Sequence, residues 1–341
     1  MQDIEFNKKI KCEICPRYCN LLEGQTGFCK VRQCKDGKII STVYGYTAGA
    51  AIDPIEKKPL YHFYPSSQIL SFGTFGCNMG CKFCQNHHIS KHEQDFAHSK
   101  KFMPEDIVAA AKKYHCKSVA FTYNDPVVFL EYAKDTAILC RQEGIKTVAV
   151  TAGYMNPKPR EEFYSLIDGV NIDLKGFTED FYNRICLAKL EPILDTINYV
   201  ANETDCIIEL TTLLIEGEND NEDDLKRQFD QIAEKLGEHV PIHLSAFHPD
   251  YKMLNKPNTS LNTLLKARAL AKNAGLMYVY TGNIIDEESS LTICPTCKMK
   301  LIKRKGYNVQ NLGISNGRCI NCNTPIYGHF DLLSIYSSIV L

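Results

Sequence analysis

Tryptophan is missing from the 341 residues, and an excess of either charge is missing too: Lys plus Arg total 39 and Asp plus Glu 40, a formal net charge of −1. That balance argues against a strongly basic nucleic-acid-binding protein and against an acidic disordered tail. No apolar run reaches the roughly 18 residues a membrane span needs. The opening residues, MQDIEFNKKI, lack the apolar core of a signal peptide, so a cytoplasmic protein is expected. Internal repeats and low-complexity segments are absent. Apolar residues at 44% and charged residues at 23% are ordinary for a globular chain with a sizeable core. The length suits about two domains, or one large α/β barrel with additions.

What is present in excess is cysteine, at 16 residues. A secreted disulfide framework and metal sites in a reducing cytoplasm are the competing explanations, and spacing separates them. Twelve of the 16 fall into three groups: Cys12, Cys15, Cys19, Cys29 and Cys34; Cys77, Cys81 and Cys84; and Cys294, Cys297, Cys319 and Cys322. Gaps of two or three residues are too short for ordinary disulfides and suit shared metal centres. The remaining Cys116, Cys140, Cys186 and Cys206 sit singly in apolar patterns and read as buried core thiols.

From residue 66 onward, strand-like and helix-like patterns alternate. Strands are expected at 68–72, 118–122, 147–151, 170–174, 206–212, 241–245 and 276–280. Helices are expected at 104–114, 126–144, 157–167, 189–202, 221–236 and 260–274. Short Val- and Ile-rich strands in this alternation imply right-handed βαβ units and a parallel sheet buried on both faces, so a partial barrel is favoured over an open doubly wound sheet.

The segment CNMGCKFC places Cys77, Cys81 and Cys84 just after the first of these strands, at the end where barrel active sites sit. Three thiolates can hold three irons of a [4Fe–4S] cube and leave the fourth open to a ligand. A zinc site completed by His87 or His88 is the plainer alternative. C-x3-C-x2-C with an aromatic before the last cysteine resembles the radical S-adenosylmethionine (SAM) superfamily. The resemblance implies that the open iron chelates SAM and that one electron cleaves SAM to methionine and a 5′-deoxyadenosyl radical. By the same resemblance, Asn124 and Asp125 of TYNDP, Thr151 of TAGY, Asp173 and Lys175 of DLKG, and His248 of HLSAFHPDY are SAM-site residues. Read without the resemblance, Asp125 is a helix cap before Pro126, DLK a solvated strand end and His248 structural.

Taken together, CEICPRYCNLLEGQTGFCKVR, DPIEKKPLYHF, SFGTFGCNMGCKFCQNHHIS, TYNDP, NIDLKGF, PIHLSAFHPDYKM and YVYTGN resemble the AmmeMemoRadiSam proteins, relatives of the pyruvate formate-lyase activating enzyme. The sequence departs from that pattern at Asp125, where Glu is expected, at Ala152, where Asn is expected, and at Glu216, where Pro is expected. The expected architecture is α/β: a Cys-rich N-terminal metal-binding segment over 1–62, a partial TIM-type (β/α)6 radical SAM barrel over 63–288, and a zinc-ribbon-like unit over 289–341.

The N-terminal spacing, C-x2-C-x3-C-x9-C at Cys12, Cys15, Cys19 and Cys29 with Cys34 as a spare, fits either structural zinc or an auxiliary [4Fe–4S] cluster. The C-terminal C-x2-C-x21-C-x2-C at Cys294, Cys297, Cys319 and Cys322 has the two-knuckle spacing of a zinc ribbon, with a rubredoxin-like iron site as the minority alternative. Lys57, Lys58 and His62, in the connection between knot and barrel, are weaker candidates for the SAM cleft. Expected cofactors are a [4Fe–4S] cluster, SAM and zinc, with a second [4Fe–4S] cluster if the knot holds one. Expected partners are a ferredoxin- or flavodoxin-type electron donor and Memo-like and AMMECR-like proteins, with no membrane and no nucleic acid. Hydrogen abstraction from an unidentified substrate is the leading function. Activation of a glycyl-radical enzyme is the alternative, and a zinc-dependent binding module without radical chemistry is the contrast from another class.

Overall fold

Short runs rich in Val and Ile form the strands of one central sheet, because such side chains suit strands covered on both faces. The computed structural model describes residues 8–91 and 101–331; the ends of the two expected flanking units, residues 1–7 and 332–341, lie outside the described residues. In chain order the strands are β1 (Gly49–Pro54), β2 (Gln68–Gly73), β3 (Ser118–Phe121), β4 (Lys146–Thr151), β5 (Gly169–Asp173), β6 (Ile207–Leu214), β7 (Ile242–Ala246) and β8 (Val279–Gly282). They lie side by side in that order. Strands β2 to β8 are all parallel, and β1 pairs antiparallel with β2 at the edge. Strands β1 and β8 do not pair with each other, so the sheet is an open one of the partial-barrel kind.

Six helices join successive parallel strands: α1 (Pro104–Lys113), α2 (Leu130–Gln142), α3 (Pro157–Tyr164), α4 (Glu191–Glu203), α5 (Glu222–Leu236) and α6 (Leu261–Asn273). Their starts follow local chemistry. Pro104 sits in the first turn of α1, where Asp106 accepts a bond from the Met103 N–H at 2.9 Å. The Asn221 carboxamide oxygen accepts from the Asp223 and Asp224 N–H groups at the head of α5. No helix among the described residues is long and apolar enough to cross a membrane.

Between β1 and β2 the chain plugs one end of the sheet. Ile55, Leu60, Phe63 and Tyr64 pack with Ile69, Ala120 and Val148 in a separate apolar cluster. Gly169 permits the close approach: a Cβ there would come within 2.8 Å of the Phe63 ring. This plug fixes His62. Its ring is fully buried, with Nδ1 donating to the Tyr327 carbonyl at 2.6 Å and Nε2 accepting from the Tyr280 hydroxyl at 2.7 Å. His62 therefore ties the C-terminal unit to β8 and does not face the cleft, contrary to its reading as a site candidate.

The C-terminal unit has a three-stranded antiparallel sheet, Thr292–Ile293, Lys300–Lys305 and Asn308–Asn311, and a short pair, Ile314–Ser315 with Arg318–Cys319. Arg304 anchors it to the barrel. Its fully buried guanidinium lies 4.1 Å over the Tyr61 ring and donates to the Tyr61 carbonyl, the Ser290 carbonyl and Thr292 Oγ1.

Candidate active site

The loop after β2 carries Cys77, Cys81 and Cys84 to the C-terminal end of the sheet, and three contacts hold it there. Asn124, after β3, accepts from the Thr74 N–H with Oδ1, while its Nδ2 donates to the Phe75 and Gly76 carbonyls and to Thr74 Oγ1. Lys82 and Gly80 donate from their backbone N–H groups to the Ile185 and Cys186 carbonyls at 3.0 and 2.8 Å, docking the loop on a π-helical turn, Tyr182–Cys186. The Lys91 ammonium donates to the Met79 carbonyl. With its Nδ2 hydrogens shared among three acceptors of the loop and its Oδ1 on the Thr74 N–H, Asn124 supports the cysteines.

The three cysteines line one side of a cleft of about 680 Å³. That volume is within the usual range for a small-molecule site. Asn124, Asp125, Thr151, Asp173 and Lys175 line the same cleft from the ends of β3, β4 and β5. Asp125 is buried and accepts from the Val127 and Ala152 N–H groups and from Thr151 Oγ1, at 2.8 to 3.1 Å. It thus caps the turn at Pro126 and ties β3 to β4 while facing the cleft. Burial raises its pKa, and those three donors only partly oppose the rise. Lys175 Nζ pairs with Asp173 Oδ2 at 2.8 Å. Burial works against the Lys175 charge, but Asp173 and the Cys81 thiol outweigh it and raise the ammonium pKa well above its usual value.

His248 is placed differently from the other expected SAM residues. It is exposed and outside the cleft lining, with Nδ1 3.2 Å from Gln85 Nε2. The connection after β7 folds outward over the cysteine loop, where Tyr251 stacks on His87 and the Lys252 N–H donates to the Lys82 carbonyl at 2.9 Å. Lys57 and Lys58 do line the cleft. Both pair with Asp53, at 2.9 and 2.7 Å, which sets their charge against a carboxylate. Burial alone would raise the Asp53 pKa, yet the two lysines hold it well below the ordinary carboxylate range.

Four further features were not anticipated from sequence. Lys91 sits against the three thiols, which raise its pKa against the opposing effect of burial. Cys186, expected as a plain core thiol, is buried and hydrogen-bonds the Cys81 sulfur; that bond, despite burial, lowers the Cys81 pKa. Tyr307 reaches the cleft from the C-terminal unit, as does His243 from β7. His243 Nε2 lies 2.6 Å from Glu209, whose carboxylate also accepts the Tyr61 and His62 N–H groups. Lys91 follows Cys84 by only seven residues; the others depend on contacts distant in sequence.

The donor set fits an iron–sulfur cube held by three thiols. Among the described residues, the only set of three or more His, Cys, Asp or Glu ligand atoms all within 4.8 Å of one another is Cys294, Cys297, Cys319 and Cys322. That compact set suits one tetrahedral ion, for which Zn–S distances near 2.3 Å draw the sulfurs together. The Cys77, Cys81 and Cys84 sulfurs are more widely spaced and face open volume, as a bulkier group requires. All 16 cysteines are free thiols.

Comparisons with known proteins agree with this geometry. Residues 72–229 match the radical SAM superfamily. An uncharacterized protein of Methanocaldococcus jannaschii is 40% identical over 322 residues, 94% of this chain and 96% of that protein. A second protein of that organism, provisionally named a glycyl-radical enzyme activating enzyme, is 23% identical over 206 residues, 58% of this chain and 74% of that protein. A radical SAM methyltransferase structure from Sphaerobacter thermophilus shares the fold, with a TM-score of 0.50 at 13% identity, over 64% of this chain and 67% of that one.

Proposed function

Because the chain belongs to the radical SAM superfamily and is an enzyme of that class, we propose that Cys77, Cys81 and Cys84 hold its catalytic [4Fe–4S] cluster and that the adjoining cleft binds SAM. The observation that carries this reading is the meeting of three widely spaced thiols with Asp125, Thr151, Asp173 and Lys175 in one cleft. The bound group supplies reductive cleavage of SAM to methionine and a 5′-deoxyadenosyl radical, which removes a hydrogen atom from the substrate. The protein's residues bind and orient. Lys175 offers its ammonium to the SAM carboxylate, with Asp173 fixing the direction of the lysine side chain. Asp125, held by three donors, offers remaining acceptor capacity to the SAM ammonium. Asn124 keeps the cysteine loop in place. Apolar walls from Met79, Phe83 and Val150 reduce the water around the reacting atoms.

The test is anaerobic reconstitution followed by assay of 5′-deoxyadenosine with SAM and dithionite. Replacing Cys77, Cys81 and Cys84 with Ala should abolish its formation; retained formation sinks the reading. Lys175→Ala should weaken SAM binding about tenfold, the worth of about 1.4 kcal/mol, while Lys303→Ala leaves it unchanged. Hydrogen abstraction in association with a Memo-like partner remains the leading assignment. The similarity to a protein provisionally named as a glycyl-radical activating enzyme supports the second reading, in which the substrate is a Gly Cα–H on a separate enzyme. In the second case a glycyl-radical EPR doublet appears on the partner; in the first it does not. We also propose that Cys294, Cys297, Cys319 and Cys322 hold structural zinc.

A further inference from the structure

The N-terminal cysteines enclose a site of a different kind from the C-terminal set. Cys12, Cys15, Cys19 and Cys29 line a small cavity of about 20 Å³. Unlike the C-terminal four, their sulfurs are not drawn together within 4.8 Å of one another, as closure on a single ion at about 2.3 Å would require. Cys34 is not part of the lining; its thiol turns to Glu23 at 3.8 Å. The sulfurs are supplied with donors. The Ile14, Arg17, Val31 and Arg32 backbone N–H groups point at Cys12, Cys15 and Cys29, and the Asn78 amide bonds Cys15. Arg32 is 3% exposed and lines the cavity; its Nη1 pairs with Glu131, while its Nε and Nη2 have no partner. A buried guanidinium with unmet donors is costly unless an anionic group fills the space before it. Arg17 is the second cation on the wall, held by its Nε donating to the Asn78 carbonyl at 2.6 Å.

We propose that Cys12, Cys15, Cys19 and Cys29 hold a second [4Fe–4S] cluster, and that it passes electrons to the site at Cys77, Cys81 and Cys84. Four thiolates cap all four irons, so this cluster has no open position for a substrate and is left with electron transfer. The two sites touch. Asn78 lines the N-terminal cavity and follows Cys77 directly, with Cα atoms about 3.8 Å apart. Gly76, with φ of +75°, lies against the other side: a Cβ there would come within 2.2 Å of the Cys29 carbonyl. One electron from a low-potential donor of the ferredoxin or flavodoxin class reduces the N-terminal cluster. Its transfer to the catalytic site returns the N-terminal cluster to the oxidised state, ready for the next electron.

The test uses the full chain, reconstituted anaerobically, with iron and zinc counts and EPR of the dithionite-reduced protein. About eight irons and about one zinc per chain are expected from two [4Fe–4S] clusters and one zinc. The variant with Cys77, Cys81 and Cys84 replaced by Ala should keep about four irons and a reduced-cluster signal that SAM does not perturb. Cys15→Ala with Cys29→Ala should lose about four irons and keep the SAM-perturbed signal, whereas Cys34→Ala keeps all. About four irons with about two zincs in the wild type, or no iron in the variant lacking the catalytic cysteines, overturns the proposal. That last variant decides the matter even if the Cys15 and Cys29 replacements prevent folding. Loss of 5′-deoxyadenosine formation with eight irons present would count against the catalytic reading and leave this one standing.

Discussion

Cys294, Cys297, Cys319 and Cys322 draw their thiols within 4.8 Å of one another, whereas Cys12, Cys15, Cys19 and Cys29 stand around a cavity. The C-terminal set is self-contained: two CxxC turns face each other, with Cys294 and Cys322 sulfurs 3.5 Å apart and Cys297 and Cys319 sulfurs 3.6 Å apart. The N-terminal set is finished by the barrel, since Asn78, Val127 and Val128 complete its wall. Equal numbers of cysteines thus serve different ends. On the assignments proposed above, one set would hold a small unit together and the other would lie beside the chemistry.

The largest effect should come from breaking the self-contained set. Cys294→Ala with Cys319→Ala should remove the zinc and unfold the unit, since structural zinc is worth about 10–16 kcal/mol in small finger peptides. Limited proteolysis should then cut between residues 291 and 330 while the iron content stays unchanged. An unaltered digestion pattern would show that the unit does not depend on metal. Arg304→Met comes next, at about 3 kcal/mol, because it leaves two partly buried carbonyls and the buried Thr292 hydroxyl without their donor and removes the cation over Tyr61. Denaturant melts measure it.

A similar amount depends on His62, whose burial lowers its pKa to about 4. The unfolded chain binds a proton near pH 6.5 that the folded chain refuses until about pH 4, so stability falls as pH drops through that window. The loss totals about 3 kcal/mol, and His62→Gln should flatten it. A wild-type profile no steeper than the variant's rules out His62 as its source. The smallest effect belongs to the N-terminal side: Arg17→Ala should cost about 1 kcal/mol by releasing Asn78, with the zinc count unchanged.

Much of this architecture could be read from local pattern. The strand and helix alternation survives in six helices and seven parallel strands, because apolar runs flanked by caps and glycines are local signals. The last strand is displaced, expected at 276–280 and found at Val279–Gly282. Gly275, with φ of +96°, ends the turn after α6, and pairing of Val279 with Ile242 sets the register, leaving Leu276 to Tyr278 as an ascent. The cysteine triad was legible because its spacing is contained in eight residues. Cys186 beside Cys81 was not, since the contact needs a π-helical turn roughly a hundred residues away. The position of His248 was not legible because a strand end says nothing about which way the following loop leaves; here the loop carries it to Gln85, outside the cleft lining. Tyr307 in the cleft depends on how a whole unit docks.

The clasp of His62 on Tyr327 joins residues 265 positions apart, and the Tyr64 N–H and the His62 carbonyl both bond His329. Tyr61 and His62 are therefore made long before Tyr280, Tyr327 and His329, and stay uncovered until the chain has passed those residues. Closing so long a loop is slow. The plug at the base of the sheet is thus laid down early and locked last. Until then a chain still tethered to the ribosome carries an aromatic patch that invites a chaperone.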